Sequence, residues 1–325
     1  MVAAHTRPIP PAMKAFLESV LPPGTVNVAR RWRLALGALA PDAKSSAAYW
    51  TQHHVDAPEA GFESVDASLA HLDWRNGMYP GTLDLMPLDD AVGLTVLDYG
   101  CGPGNDTIGF AHHSKPKALH AVDVSSTALA LAQRRAELHG FDVDFQEIAE
   151  SPVTLPFDDA SFDLVHSAGV LHHTPDPAAI LAEFHRVLKP SGRARIMVYN
   201  RDSVWMHLHV AYRSMIVQGL YKGATKDDAF RRTTDGDRCP IARAYVPEDF
   251  IALCQTAGFD ATFAGAGVSL LELECLDLRF AALRDQRLDS ESRAFLGALM
   301  FNDRLWPLYR GHVAGINGCY HLQRA

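Results

Sequence analysis

The sequence predicts an α/β fold around a mostly parallel sheet of seven strands. Beyond Gly93, short apolar segments alternate with helical patterns, which is typical of βαβ units. Hydrophobic residues make up 48% of the 325 residues and charged residues 21%, an ordinary balance for a globular protein. The chain is long enough for two domains or for one elaborated α/β domain.

Seven segments are predicted as strands. The first five follow one another at residues 95–100, 118–124, 143–148, 162–167 and 193–200. A sixth is predicted at 261–267, and residues 319–323 are predicted to return as the seventh.

Helices are predicted between these strands from their end signals. One begins near Asp106, and another spans 125–139, with Ser125 or Ser126 as N-cap and Gly140 just past its end. Further helices are expected at 178–188, 204–220 and 247–257.

Charge and composition exclude several classes of partner. The net charge is −8, whereas nucleic-acid binding depends on Lys and Arg neutralising phosphates. No apolar run approaches the ~18 residues of a membrane span, so we expect a soluble, cytoplasmic protein that binds neither nucleic acid nor membrane. The five cysteines form no CxxC pair, and the sixteen histidines lack a recognisable ligand partner, so no metal is expected.

A glycine-rich turn follows the first predicted strand. Gly100, Gly102 and Gly104 alternate after Asp98, which permits a tight turn and close approach to a ligand. Asp123, 25 residues after Asp98, ends the second strand, where an acidic side chain can accept hydrogen bonds from ribose hydroxyls.

The cofactor of this turn has two candidate classes. A dinucleotide site needs glycine at the sixth motif position, where this chain has Asn105, and Asp98 would face a pyrophosphate. Charge therefore favours a cationic cofactor such as S-adenosyl-L-methionine. A nicotinamide-dependent oxidoreductase remains the alternative, as does a module that binds S-adenosylmethionine without catalysis.

Four ordered segments carry a resemblance to a known family. They are VLDYGCGPG (96–104), AVDVS (121–125), LPFDDASFDLVHSAGVLHH (155–173) and EFHRVLKPSGRARIMVYN (183–200). They resemble the class I S-adenosylmethionine-dependent methyltransferases, in particular the ubiquinone-biosynthesis-like branch. The resemblance implies a Rossmann-like class I methyltransferase sheet with a helical N-terminal cap and insertions.

The resemblance also implies roles for individual residues. The methionyl part of the cofactor would be bordered by Asp98, Gly100, Gly102 and Gly104, and the ribose would be held by Asp123. The adenine would lie beside Val124, with Glu150 or Ser151 near its amine. The floor under the sulfonium would be lined by Ser167 and Ala168. Nucleobase-amino methyltransferases carry an (N/D/S)-P-P-(Y/F) motif after the fourth strand. Ser167-Ala168-Gly169-Val170 lacks it, which argues against a nucleic-acid acceptor.

The chain is predicted to comprise four regions. Residues 1–92 form the helical cap and substrate region, and residues 93–200 form the core that binds S-adenosylmethionine. Residues 201–246 form a lid or substrate insertion, and residues 247–325 complete the sheet with a helical insertion at 269–316.

Methyl transfer depends mainly on alignment, and it needs a base only if the acceptor must lose a proton. The candidate bases are His172, His173 and His207. The alternative for His172 and His173 is a loop pair typical of the family, in which one histidine hydrogen-bonds to the backbone and the other helps to seat the cofactor.

Nine residues are candidates for binding the acceptor, on the cap, the predicted helix 204–220 and the loop after it. They are Trp50, Trp74, Arg75, Tyr79, Trp205, Tyr212, Asp235, Arg243 and Tyr245. The alternatives are core packing for the helix and ordinary ion pairs for each arginine. We expect a small-molecule acceptor, such as an amino acid or a natural-product intermediate, and a homodimer is compatible with the chain. The order of the segments along the chain is also similar to that of bacterial methionine S-methyltransferases.

Overall fold

A seven-stranded sheet organises the protein in the computed structural model, which describes residues 45–53 and 61–325. The ten strands of the described chain are β1 (Thr95–Tyr99), β2 (Ala118–Asp123), β3 (Asp144–Glu147), β4 (Phe162–Ala168), β5 (Leu188–Tyr199), β6 (Phe259–Gly267), β7 (Met300–Phe301), β8 (Pro307–Tyr309), β9 (His312–Val313) and β10 (Asn317–Arg324). The large sheet has the order β3-β2-β1-β4-β5-β10-β6, and β7, β8 and β9 form a small antiparallel sheet.

The large sheet confirms the predicted fold class. The first five strands pair in parallel, and β10 returns antiparallel between β5 and β6. The central strands β1 and β4 are buried on both faces, as expected of a parallel sheet covered by helices. Strand β5 begins at Leu188 rather than at residue 193, because Leu188 already pairs with Phe162 of β4. The pairing register then shifts, so that residues 189–192 have no partner in β4.

Helices cover the sheet. Those of the described residues are α1 (Ser46–Gln52), α2 (Val65–Gly77), α3 (Thr82–Leu85), α4 (Asn105–His113), α5 (Ser126–His139), α6 (Pro177–Val187), α7 (Lys226–Thr234), α8 (Pro247–Thr256), α9 (Leu270–Cys275), α10 (Arg279–Arg284) and α11 (Ser290–Ala298). Short 3₁₀ turns lie at Leu171–His173 and Leu276–Leu278. Ser125 caps α5 by accepting from the Ala128 amide, and left-handed Gly140 ends it, as the sequence predicts.

The predicted helix at 204–220 is a π-helix over Trp205–Val217. The Ser203 side chain caps its start by accepting a hydrogen bond from the Met206 amide. Every side chain from Met206 to Tyr212 is buried, which agrees with the two apolar faces of the sequence. A prediction based on 3.6 residues per turn does not reveal the wider π geometry, which is often found at functional sites.

Two of the apolar cores among the described residues show how the sheet and the inserted segments are packed. The larger packs β1, β4, β5 and β10 against α6 and α8, with Phe184, Phe250 and Tyr320 buried at its centre. The second packs the π-helix against α9, α10 and α11, around Leu208, Phe295 and Leu296. The segments predicted as insertions therefore have a core of their own.

The N-terminal part of the chain is described only in part. Helices α1, α2 and α3 fall within the region predicted as a cap, whereas residues 1–44 and 54–60 lie outside the described residues. The four-region division of the chain stays a prediction. Within residues 45–53 and 61–325, no helix is both long and apolar enough to cross a membrane.

Candidate active site

The glycine turn lies where the strand order reverses between β1 and β4, the usual position of a ligand crevice in such sheets. Gly100 has φ 74°, a left-handed conformation that favours glycine. A Cβ at Gly100 would also come within 3.0 Å of the Val170 side chain. Glycine is therefore required here both by the backbone conformation and by the loop after β4.

Asp123, at the end of β2, holds the two loops that border this crevice. Its Oδ2 accepts from the Gly102 amide and its Oδ1 from the Ser125 amide, each at 2.8 Å. Burial raises the pKa of the carboxyl, while these amide donors act to lower it. Each carboxylate oxygen keeps a further lone pair that can accept from a ligand hydroxyl.

Two further carboxylates lie beneath the turn. Burial raises the pKa of Asp98 to about 6, although the Thr107 hydroxyl donates to its Oδ2 at 2.6 Å. Asp106 lies between Arg75 Nη1, at 2.6 Å, and His166 Nε2, at 2.9 Å. Burial opposes ionisation of Asp106, but Arg75 and His166 outweigh it and hold its pKa well below the usual range. Arg75 thereby ties α2 to the start of α4.

One cavity of about 630 Å³ extends from the glycine turn to the ends of β4 and β5. Its volume is within the range of about 300–1,000 Å³ that is typical of small-molecule sites. One end is lined by residues of the glycine turn and by Asp123 of β2. The other end is lined by side chains from distant segments, namely Tyr49, Trp50, Tyr79, Met86, His173, Met197, Tyr199, Trp205 and Asp235.

His173 and Asp235 meet at that second end. His173 Nδ1 lies 2.7 Å from the Ile241 carbonyl oxygen, which can only accept, so Nδ1 carries the proton. Nε2 then has the lone pair of the neutral ring, and it lies 3.6 Å from Asp235 Oδ1. The Tyr199 hydroxyl donates to the same Oδ1 at 2.8 Å, and the Trp50 ring packs on His173 at 4.7 Å.

The structure brings most of the predicted site residues to this one cavity. Those that line it are Trp50, Arg75, Tyr79, Asp98, Gly100, Gly102, Asp123, Val124, Glu150, Ala168, His173, Trp205 and Asp235. These residues are far apart in the sequence, but they come together because the carboxyl ends of the parallel strands lie at the same edge of the sheet.

Two of the three predicted bases lie away from the cavity. His172 is fully buried, and its ring packs at a tilt against the Tyr199 ring, with 3.7 Å between the ring centroids. Neither ring nitrogen has a hydrogen-bond partner within the described structure. His207 is buried in the second core, beside Ser292 and Phe295. Burial lowers the pKa of both, to about 3 for His207, so both are neutral packing residues at pH 7.

Four predicted acceptor-binding residues also lie outside the cavity lining. Trp74 is 54% exposed on the outer face of α2, and Tyr212 is buried in the second core. Arg243 donates to the Thr174 carbonyl, and Tyr245 packs against the first core. The sequence pattern does not indicate which face of a helix, or which side of a loop, these residues occupy.

Three predicted cofactor residues have local structural positions instead. The Ser167 hydroxyl donates to the Tyr99 carbonyl and ties β4 to β1. Gly104, with φ 82°, is the N-cap of α4 and packs on Ala132, while Ser151 is exposed beside the cavity residue Glu150. Glu150 Oε1 accepts from the Ser46 amide at 3.0 Å.

Sequence reasoning missed Tyr49, Tyr199 and the two methionines Met86 and Met197. Tyr199 ends β5, so its position at a strand terminus was a usable signal. Tyr49 belongs to a polar-aromatic run, but nothing in the sequence pairs it with the backbone carbonyl of Asp235, to which its hydroxyl donates.

Among the side chains that the structure describes, one group has the spacing of metal ligands: His173, Asp235 and Cys239. The geometry does not converge on one point. Asp235 approaches Nε2 of the His173 ring, whereas Cys239 Sγ lies 3.9 Å from Nδ1, which already bonds to Ile241. A single ion cannot use both edges of the ring, so this group gives no support for a metal.

Comparison with known proteins identifies the domain. Residues 96–192 match the family model described as a methyltransferase domain. This chain carries a class I S-adenosylmethionine-dependent methyltransferase domain. The matched segment of the methyltransferase domain contains the glycine turn, Asp123 and His173, and S-adenosylmethionine is the cofactor of the class.

Individual relatives resemble the chain over about half of its length. A probable methyltransferase of Aspergillus luteorubrus is 33% identical over 51% of this chain and 57% of its own. A ubiquinone biosynthesis O-methyltransferase of Pseudomonas paraeruginosa is 29% identical over 52% of this chain and 75% of its own. An uncharacterised transposon protein of Streptomyces fradiae is 34% identical over 46% of this chain, which spans only 41% of that protein. A putative methyltransferase of Haloferax volcanii, solved with its activator, superposes with a TM-score of 0.48 at 16% identity, over 79% of this chain and 93% of its own.

Proposed function

We propose that the protein transfers the methyl group of S-adenosylmethionine to a small molecule bound in the same cavity. The observation that carries this proposal is the continuity of that cavity, which joins the glycine turn and Asp123 to a separate wall of His173, Tyr199 and Asp235. One end suits the cofactor, and the other leaves room for an acceptor in line with the transferred methyl group.

The cofactor end has the groups that S-adenosylmethionine needs. Asp123 would accept from the ribose hydroxyls, and Val124 and Ile148 would border the adenine, with Glu150 near its amine. The buried carboxylate of Asp98 would face the cationic methionyl part. Ala168 at the end of β4 would lie below the sulfonium.

His173 is the predicted base that lines the cavity, and its Nε2 is free to accept a proton. S-adenosylmethionine would supply the methyl group: a substrate nucleophile would attack the methyl carbon as the carbon–sulfur bond breaks, and S-adenosylhomocysteine would leave as a neutral thioether. A hydroxyl or amine nucleophile would pass its proton to Nε2, and Asp235 would stabilise the resulting imidazolium. A thioether nucleophile would need no such step.

Several features support a small acceptor, such as an amino acid or a natural-product intermediate. Cofactor and acceptor share about 630 Å³, and the net charge of −8 does not suit a nucleic acid. The named ubiquinone-biosynthesis relatives are O-methyltransferases. The five cysteines are all buried free thiols, which is compatible with the reducing, cytoplasmic setting that we propose.

Turnover with isotope-labelled cofactor tests this function. The protein would be incubated with methyl-labelled S-adenosylmethionine and pooled small metabolites, and products would be identified by mass spectrometry. We expect a labelled small-molecule product with wild type and a markedly lower rate with His173→Gln if the acceptor atom carries a proton. Binding of S-adenosylmethionine without transfer to any pool would instead indicate a non-catalytic module.

A further inference from the structure

Asp235 is a buried carboxylate with one oxygen unused. It follows α7 and lines the acceptor end of the cavity, with its side chain only 6% exposed. Tyr199 donates to Oδ1, and Tyr49 donates to the backbone carbonyl of the same residue. Within the described chain, Oδ2 has no hydrogen-bond partner. A buried carboxylate oxygen in this state is costly unless a donor or a cation occupies the space beside it.

The neighbouring arginine and histidine side chains make their contacts with other atoms than Asp235 Oδ2. Arg231 donates to the Cys239 carbonyl and to Asp228, and Arg238 lies 3.0 Å from His53 Nε2. His173 Nε2 approaches the other oxygen, Oδ1, at 3.6 Å, beyond the ~2.7–2.9 Å of a charge-assisted hydrogen bond. None of these groups satisfies Oδ2.

Aromatic side chains surround the same end of the cavity. Tyr49, Trp50, Tyr199 and Trp205 all line it. The two tyrosine hydroxyls are directed to Asp235 and the Trp205 indole N–H to Thr234, so these polar groups are already bonded. Aromatic faces beside a carboxylate are a common arrangement for binding an organic cation.

The charge of the whole cavity lining agrees with a cationic occupant. Six carboxylates line it: Asp98, Asp106, Asp123, Glu150, Asp176 and Asp235. The guanidinium in the described lining, Arg75, is paired with Asp106. An anionic acceptor would therefore meet an unfavourable field, whereas a cation would be attracted.

We propose that Asp235 Oδ2 accepts a hydrogen bond from an ammonium group of the methyl acceptor, so that the substrate is a small metabolite carrying a protonated amine. This inference rests on the proposed function, because it concerns the acceptor end of the same cavity. A protonated amine has no lone pair. While Asp235 holds it charged, the methyl group must go to a different atom of the molecule, and the ammonium serves as the recognition group.

Matched amine and alcohol probes test this directly. Tyramine and its alcohol counterpart tyrosol, and 3-(methylthio)propylamine and 3-(methylthio)propanol, would be titrated calorimetrically into protein saturated with S-adenosylhomocysteine. We expect the amine of at least one pair to bind about tenfold or more tightly than its alcohol. Asp235→Asn should remove the preference, because asparagine keeps an oxygen for the Tyr199 hydroxyl but loses the charge.

Asp237→Asn is the matched control in the same loop. Asp237 is paired with Arg232 and is not part of the described cavity lining, so this variant should keep the preference for amines. Equal affinity within both pairs, no binding of any probe, or a preference that survives Asp235→Asn overturns the proposal. Failure of the proposed function is a separate result, since it would appear as absent methyl transfer whatever the probes bind. Unfolding midpoints of both variants would verify that each is folded.

Discussion

The two ends of the cavity, which we propose to bind the cofactor and the acceptor, are built in different ways. The cofactor end comes from one stretch of chain, in which β1, the glycine turn and β2 follow one another closely. The acceptor end is assembled from α1, the turn after β4, the end of β5, the π-helix and the loop after α7. The first depends on local backbone geometry, whereas the second depends on long-range packing, and the two should therefore respond differently to mutation.

Gly100→Ala should have the largest effect, at the cofactor end. The left-handed backbone costs about 1–2 kcal/mol for alanine, and displacing Val170 adds to it, so we expect a loss of at least about 3 kcal/mol in unfolding free energy. S-adenosylmethionine binding should also be lost. Denaturant unfolding and calorimetry measure both.

Gly102→Ala is the control for this prediction. Gly102 also has a positive φ, of 53°, but a Cβ there would have open space around it. It should cost only the conformational part, about 1–2 kcal/mol. Equal costs for the two variants would contradict the role assigned to the contact with Val170.

Asp123→Ala should come next, and it should leave the acceptor end intact. It removes the acceptor of the Gly102 and Ser125 amides and the proposed ribose contact. Hydrogen bonds to charged groups contribute roughly 1.5–3 kcal/mol, so the Kd for S-adenosylmethionine should rise about 10- to 100-fold by calorimetry. An unchanged Kd would be incompatible with the ribose role.

Tyr199→Phe should show the reverse selectivity. It removes the donor to Asp235 Oδ1 but keeps the ring that packs on His172. We expect acceptor KM to rise about 5- to 10-fold, with the Kd for S-adenosylmethionine changed by less than about twofold. A larger change at the cofactor than at the acceptor would break the distinction between the two ends.

The smallest effect concerns the buried histidine His207. Its pKa is lowered to about 3 in the folded state, against about 6.5 in the unfolded chain. Below pH 6.5 the unfolded chain takes up a proton that the folded protein does not, so stability falls as pH falls, by up to about 1.4 kcal/mol per pH unit. Glutamine at this position can still hydrogen-bond to Ser292. His207→Gln should therefore reduce the slope of unfolding free energy against pH between pH 6.5 and 5, by the uptake of about one proton on unfolding.

His207→Gln also separates packing from catalysis. Because His207 lies outside the cavity lining, kcat should stay within about twofold of wild type at pH 8. A collapse of kcat in a folded His207→Gln protein would restore it as a catalytic candidate.

The sequence was informative where structure depends on neighbouring residues. The strand pattern, the caps of α5 and the glycine turn were all predicted, because period, capping and backbone conformation are local properties. The glycine turn and the family resemblance predict Asp98, Gly100 and Asp123 as cofactor residues, and all three line the cavity. His173 and Asp235 were also named, although their proximity was not.

The acceptor end could be predicted only in part, because burial and facing depend on the whole fold. Neighbouring histidines have opposite surroundings: His172 packs inward on Tyr199, while His173 faces the cavity. Tyr212 and Trp205 belong to one helix, yet one is buried in the second core and the other lines the cavity. Sequence spacing cannot separate such pairs when the helix is of the π type.

A crystal structure of the protein with S-adenosylhomocysteine would show whether the glycine turn and Asp123 hold the cofactor. We expect the ribose hydroxyls on Asp123, the adenine beside Val124 and the sulfur above Ala168, with open volume between the sulfur and Asp235. S-adenosylhomocysteine bound outside this cavity, or a ribose that does not contact Asp123, would show that the proposed cofactor site is wrong.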